Sequence, residues 1–145
     1  MTEVEKRKTW MGLLACAPAA RLAGLMPDLP AHEMIRSPEI GTVMVQGRMG
    51  ATGGPFNLGE VTVTRCTLRL ADGTIGSAYV QGRDKAHARR AAVVDALLQT
   101  AAATGVRAQV IEPLAEDDRA RRLARAERAA ATRVEFFTLV RGEDK

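Results

Sequence analysis

The sequence predicts an α+β domain: a small antiparallel sheet with packed helices, from which a C-terminal helix and strand protrude as an arm. Three observations lead there. The run Leu58–Leu70 alternates with the two-residue period of a strand: Val61, Val63, Arg65, Thr67 and Arg69 share one side, and Thr62, Thr64, Cys66, Leu68 and Leu70 the other. Asp72-Gly73 is a strong hairpin turn and returns the chain through a second strand, Ile75–Gln81. A helical pattern then begins after Asp84, a good N-cap, and runs to about Ala103 before Gly105; its stripe of Val93, Val94, Leu97, Leu98 and Ala101 suits packing on a sheet.

The other elements fall around this centre. Residues 3–16 read as a helix with Val4, Trp10, Leu13 and Leu14 as apolar contacts. Ala17–Leu25 reads as a second, short helix, started by Pro18 and stopped before Pro27. Pro27, Pro30 and Pro38 mark a connection that cannot be continuous helix. Thr42–Gln46 reads as a strand, and Val106–Ile111 as a further short one.

The tail has a different character. Glu116–Arg133 is rich in alanine and arginine, with Leu123 its only large apolar side chain, so a helix there has little to bury. It delivers Val134–Val140, which holds two of the three phenylalanines and reads as an apolar strand. Residues 1–112 are therefore expected to form the core, and 113–145 a helix-and-strand arm for subunit contact. In that arm Phe136, Phe137 and Leu139 would meet a partner; a terminal strand folding back on its own sheet is the alternative.

The 145 residues suffice for one modest core. With 21 basic residues against 17 acidic, the balance suits anionic partners without demanding nucleic acid. Seventeen of the bases are arginine and 25 residues are alanine, which a GC-rich coding bias explains as readily as selection. Cys16 and Cys66 lack the paired spacing of a zinc or redox motif and are expected to be buried free thiols. With no membrane-span length of apolar sequence and no secretory leader pattern, the expected location is the cytoplasm.

The tetrapeptide Val-Gln-Gly-Arg occurs twice, at Val45–Arg48 and Val80–Arg83. After the first copy comes a glycine-rich stretch, Gly50–Glu60, which lacks the lysine and Ser/Thr of a phosphate-binding P-loop and the strand–loop–helix context of a dinucleotide fingerprint. Gly50, Gly53, Gly54 and Asn57 could still form an anion-binding nest, or equally a tight loop or subunit contact. Arg48 and Arg83 could clamp one anion if their strand ends converge, or form ordinary surface ion pairs. Arg65 and Arg69 on a partly apolar strand face suggest an interface. His32 and His87 have no third ligand spaced nearby, so no metal site is expected; His87 offers a phosphate donor or general acid, or local hydrogen bonds at a helix start. Glu60 and Asp72 are the acidic candidates, and Asp72 is better explained by its turn. No nucleophile–base–orienter set can be assembled.

Several blocks together carry a family resemblance: Arg36–Glu60, Thr62–Cys66, Ala78–Ala88, Arg133–Gly142 and the opening Trp10–Pro18. In order along nearly the whole chain, they resemble the PhnG subunit of the bacterial carbon–phosphorus lyase system; only the linker after Gly105 is less diagnostic. The resemblance implies a complex with PhnH, PhnI and PhnJ proteins. There, assisted by PhnL, PhnG, PhnH and PhnI displace adenine from ATP by a phosphonate, giving a ribose 1-phosphonate 5-triphosphate. It implies that the nucleosidase chemistry sits mainly in PhnI, that this chain holds no cofactor of its own, and that ATP is the substrate of the complex. A competing reading, a basic nucleic-acid-binding module, rests on the arginine-rich helix 119–133; against it stand the acids at that helix's start and the scarcity of aromatic residues for base stacking.

Overall fold

The computed structural model describes the backbone of residues 1–143 and the side-chain surroundings of residues 1–133. Three antiparallel strands form a meander in the order β1–β2–β3: β1 is His32–Arg48, β2 is Pro55–Leu70 and β3 is Ile75–Gln81. The α+β expectation holds. Helix α1 (Glu3–Cys16) starts at a reciprocal cap: the Thr2 hydroxyl accepts from the Glu5 N–H at 3.2 Å, and the Glu5 carboxylate accepts from the Thr2 N–H at 2.8 Å. Helix α2 is Ala19–Leu25. The β2–β3 turn uses Asp72 to accept from the Thr74 N–H at 2.9 Å, and Gly73 takes φ 91°, which glycine alone adopts without strain. Asp84 accepts from the His87 N–H at 3.0 Å and starts α3 (Lys85–Leu97).

The alternation of β2 sorts as its pattern predicts. Thr64, Cys66, Leu68 and Leu70 are buried under the helices, joined by Ala78 and Val80 of β3. Helix α3 is the centre of the core, with Ala88 and Ala91 to Ala96 fully buried between the sheet and α1 and α2. Its alanines let it approach closely. A Cβ on Gly76 would lie 2.8 Å from the Ala96 Cβ and closer still to the Ala92 carbonyl oxygen, so β3 needs glycine where α3 crosses it.

Four sequence expectations give way. Strand β1 is far longer than Thr42–Gln46 and runs through Pro38. It can do so because it is an edge strand, with register shifts between Met34 and Arg36 and between Arg36 and Glu39. Helix α3 stops at Leu97 rather than near Ala103: the Thr100 hydroxyl donates to the Leu97 carbonyl at 2.6 Å and accepts from the Ala102 N–H at 3.2 Å, replacing the helical ladder.

Val106–Ile111 is helical, not a strand. Helix α4 (Ala103–Val106) passes through a π-helical turn, Arg107–Ile111, into α5 (Glu112–Glu143). Val106, Val110 and Ile111 have helical spacing and are buried, so packing overrides β-propensity. The wide turn precedes Pro113, which can donate no hydrogen bond to the Gln109 carbonyl and crowds it.

The fourth correction concerns the arm. The backbone of 134–140 continues α5 as helix, because residues 114–141 contain no glycine or proline, and propagating a formed helix is easier than starting a strand with no edge to pair. The protruding strand is therefore absent, and the C-terminal element is one helix. Its base is held by buried Leu114 and an ion pair from Arg21 to Asp117 at 2.9 Å, while residues 119–133 are all exposed.

Candidate functional site

The β1–β2 hairpin outgrows the sheet. Strand β1 pairs with β2 from His32↔Leu70 out to Arg48↔Pro55, whereas β3 pairs with β2 only over Val63–Arg69. Beyond Val63 the two strands continue as a ribbon with no third strand. Its large apolar side chains are exposed, among them Val43, Met44, Val45, Met49, Phe56 and Leu58.

At the ribbon's tip the glycine-rich loop folds tightly. Met49–Ala51 is a 3₁₀ turn in which Gly50 (φ 59°) and Ala51 (φ 65°) are both left-handed, a conformation that costs a residue bearing a Cβ of order 1 kcal/mol. The Gly53 N–H donates to the Met49 carbonyl at 2.9 Å, and a Cβ on Gly53 would stand 2.8 Å from that oxygen. Arg48, Gly50, Gly53, Gly54 and Asn57 are thus gathered at one end of the molecule.

Arg83 is not with them. Arg48 is opposite Pro55 and Gln81 opposite Val63, which places Arg83 near the level of Val61, roughly 20 Å back along β2. The strand ends do not converge within one chain. The two Val-Gln-Gly-Arg copies are also unlike in structure. In the first, Val45 is exposed and Gly47 is extended, its missing Cβ leaving room for Leu58. In the second, Val80 is fully buried and Gly82 turns at φ 92°, its N–H donating to the Thr62 carbonyl at 2.9 Å and its carbonyl accepting from the Thr64 hydroxyl at 2.8 Å.

Arg65 and Arg69 lie on the sheet face away from the helices, paired across to β1: Arg65 with Glu39 at 3.3 Å and Arg69 with Glu33 at 3.2 Å. Such exposed pairs add little stability. On α5, Arg119 pairs with Glu116, and Arg121 and Arg122 with Asp118, which neutralises the start of the basic helix.

His87 is buried, and its Nε2 donates to the Leu14 carbonyl at 3.0 Å, joining α3 to α1; the phosphate-donor reading gives way to this packing role. His32 bonds the Pro30 carbonyl through Nδ1 at 2.9 Å and, with Glu33, Arg69 and Asp72, lines an open groove of about 500 Å³. The expectation of two buried thiols holds for Cys66, whose pKa burial pushes up to about 11, and fails for Cys16, which ends α1 in solvent.

The most constrained ionisable group escaped the sequence reading. Asp95 is fully buried in α3 and accepts from Arg7 Nε (3.1 Å) and Nη2 (2.9 Å), Trp10 Nε1 (2.8 Å) and the Ser77 N–H (2.9 Å). The hydrogen bonds to Asp95 raise the Arg7 pKa, and Arg107 stacks over the Trp10 ring at 5.6 Å. The available signal was an acid placed inside the apolar stripe of α3. Fully buried and with its acceptors occupied, Asp95 holds α1, α3 and β3 together and does not face a substrate.

Among the described residues no group of three or more His, Cys, Asp or Glu is placed to hold a metal ion, and no helix is long and apolar enough to cross a membrane. Nor do they assemble a nucleophile with a base. What the arrangement can do is present protein surface, with one arginine at the end of an apolar ribbon.

Two comparisons identify what the chain is similar to. The family model described as "Phosphonate metabolism protein PhnG" matches residues 5–142. The chain is also 46% identical over 148 aligned positions to the Alpha-D-ribose 1-methylphosphonate 5-triphosphate synthase subunit PhnG of Rhizobium meliloti (strain 1021), an alignment covering 97% of this chain and 92% of that protein.

Proposed function

The chain belongs to the PhnG family of phosphonate metabolism proteins, and on that premise we propose that it is a non-catalytic subunit of a cytoplasmic ribose 1-phosphonate 5-triphosphate synthase in the carbon–phosphorus lyase complex. The complex would act as a transferase, joining a phosphonate oxygen to C1′ of the ATP ribose as the bond to adenine breaks. The bond-making groups would come from a PhnI-like subunit, with PhnH- and PhnJ-like partners and a PhnL-like assisting protein.

The observation that carries this reading is the projecting ribbon, which offers uncovered apolar surface and ends in Arg48. Both substrates are anions, and bringing them together calls for cations with fixed geometry. Arg48, with the tip amides around Gly50, Gly53, Gly54 and Asn57, would supply a share at the partner's site. Arg83 would act separately from the ribbon's root. Arg65 and Arg69, together with Phe136, Phe137 and Leu139 farther along α5, would add subunit contacts. The nucleic-acid reading receives no support from either comparison.

The test is reconstitution. The PhnI-, PhnH- and PhnJ-like subunits are purified with the PhnL-like protein, with and without this chain, and adenine release from ATP is followed in the presence of methylphosphonate. Turnover is expected only when this chain is present, and none from this chain alone. Full turnover without it would overturn the proposal.

A further inference from the structure

Most of the sheet's strand edge is guarded against pairing. Strand β3 gives its outer edge to the helix layer: the Ser77 N–H donates to Asp95 at 2.9 Å, and the Ile75 carbonyl accepts from Gln99 Nε2 at 3.0 Å. The stretch of β2 beyond Val63 begins at Pro55, breaks register opposite Val45 and Gln46, and carries the charge of Glu60. The first half of β1 holds Glu33, Arg36, Pro38 and Glu39, with register shifts on either side of Arg36. Charges, prolines and bulges are the devices that keep an edge from taking another strand.

Among the described residues the second half of β1 has none of them. Ile40–Gln46 contains no charge and no proline, is β-branched at Ile40, Thr42, Val43 and Val45, and pairs without a break from Ile40↔Thr64 to Val45↔Gly59. The direction of its free backbone groups follows from β2. The Thr62 carbonyl accepts from the Gly82 N–H at 2.9 Å, on the side away from β1. In an antiparallel sheet a residue's N–H and C=O point to the same side, and the side alternates along the strand. Thr62 therefore bonds nothing on Thr42, and the same holds for Thr64 with Ile40 and Glu60 with Met44. The N–H and C=O of Ile40, Thr42 and Met44 all point out from the sheet, and all three residues are exposed.

We infer that an extended segment of another synthase subunit pairs with β1 across Ile40, Thr42 and Met44 as a fourth strand, an inference that rests on the subunit reading above. The main chain supplies the hydrogen bonds, and the incoming segment is uncharged, with apolar side chains at alternate positions beside Val43 and Val45. The chain's own apolar segment, 134–140, continues α5 as helix and offers no strand. A second copy paired about a two-fold axis would bring both faces carrying Val43, Val45, Phe56 and Leu58 to one side of a six-stranded sheet. That doubles an uncovered apolar surface, so a different subunit is the better occupant.

The test is residue-resolved hydrogen exchange on the free chain and on its complex with the remaining synthase subunits. In the free chain the Val43 amide is expected to exchange slowly and those of Ile40, Thr42 and Met44 fast; in the complex all four should be slow. Thr42→Pro removes one outward N–H and leaves the β1–β2 ladder intact, so it should weaken binding roughly 10- to 100-fold. Thr42→Val keeps that N–H and should bind as the wild type does. Amides of Ile40, Thr42 and Met44 that stay fast in the complex would overturn strand pairing whatever the affinities, and would do so even if Thr42→Pro failed to fold. Undiminished binding by a folded Thr42→Pro would overturn it too, with the subunit reading left standing. A wild-type chain that binds no synthase subunit would overturn both readings. A wild-type dimer that Thr42→Pro dissociates would overturn the choice of occupant and give the edge to a second copy.

Discussion

Arg7 and Asp95, 88 residues apart in sequence, meet in a two-pronged ion pair, Nε to Oδ1 at 3.1 Å and Nη2 to Oδ2 at 2.9 Å. The carboxylate is fully buried and the guanidinium partly exposed, so the pair anchors α1 to α3 from the edge of the core inward. Trp10 and the Ser77 amide complete the shell, tying β3 to the same acid.

Replacing Asp95 with alanine strands three sets of donors, including a buried indole N–H. The expected loss is about 3–5 kcal/mol, read as a fall in the urea midpoint at unchanged slope. Arg7→Ala should cost less, because Trp10 and Ser77 still bond the carboxylate and Arg7 is partly hydrated in the native state. Equal losses would contradict the assignment of Asp95 as the hub.

Gly76→Ala should destabilise by about 1–3 kcal/mol, because its Cβ meets a backbone oxygen of α3 that cannot swing aside. Gly59→Ala is the control: its Cβ points into open space and its backbone is extended. That variant should lie within about 0.5 kcal/mol of wild type or gain slightly. Thermal melts of the two proteins side by side decide the matter.

The two thiols should separate cleanly in a thiol-reagent titration. Cys16 is expected to react in the native protein, and Cys66 only on unfolding. The raised Cys66 pKa also carries a sign. Its neutral form is favoured in the fold, so its contribution is intact below the ordinary thiol value of 9.0 and is lost as pH rises toward about 11. The stability difference between wild type and Cys66→Ala should therefore shrink across that window and stay constant below it.

Arg48→Ala is expected to leave the complex assembled and to lower turnover about 10- to 100-fold at limiting ATP and phosphonate. Because Arg83 stands roughly 20 Å from Arg48 along β2, the effects of Arg48→Ala and Arg83→Ala should multiply in the double variant. A double variant no worse than the poorer single one would show that both arginines serve one anion.

Much of the sheet and its helices could be read from the sequence, because local chemistry and tertiary packing agree there. Asp72-Gly73 turns where its side chain and φ dictate, Asp84 caps α3, and the β2 pattern buries its even-numbered residues. The failures share a cause: a neighbour in space outvoted a local preference. Pro38 does not end β1, because β1 lies at the sheet edge, and Val106–Ile111 and Val134–Val140 follow the helix they adjoin rather than their β-branched and aromatic content. For the candidate site, the tip residues cluster as the glycine-rich loop suggested. The repeated tetrapeptide misled, since identical residues sit in an extended strand at Gly47 and a left-handed turn at Gly82. Asp95 was missed because its partners lie far off in sequence, Arg7 and Trp10 in α1 and Ser77 in β3.

The ribbon also bears on how the chain survives before it is assembled. Apolar on the face that carries Val43, Val45, Phe56 and Leu58 and open along its edges, it is a template for pairing with any other extended chain, itself included. Newly made copies without a subunit to receive them would be drawn into aggregates or cleared by proteolysis. Its abundance in a cell would then follow the supply of its receiver more closely than its own rate of synthesis, and matched production of the two would be a condition for either to function.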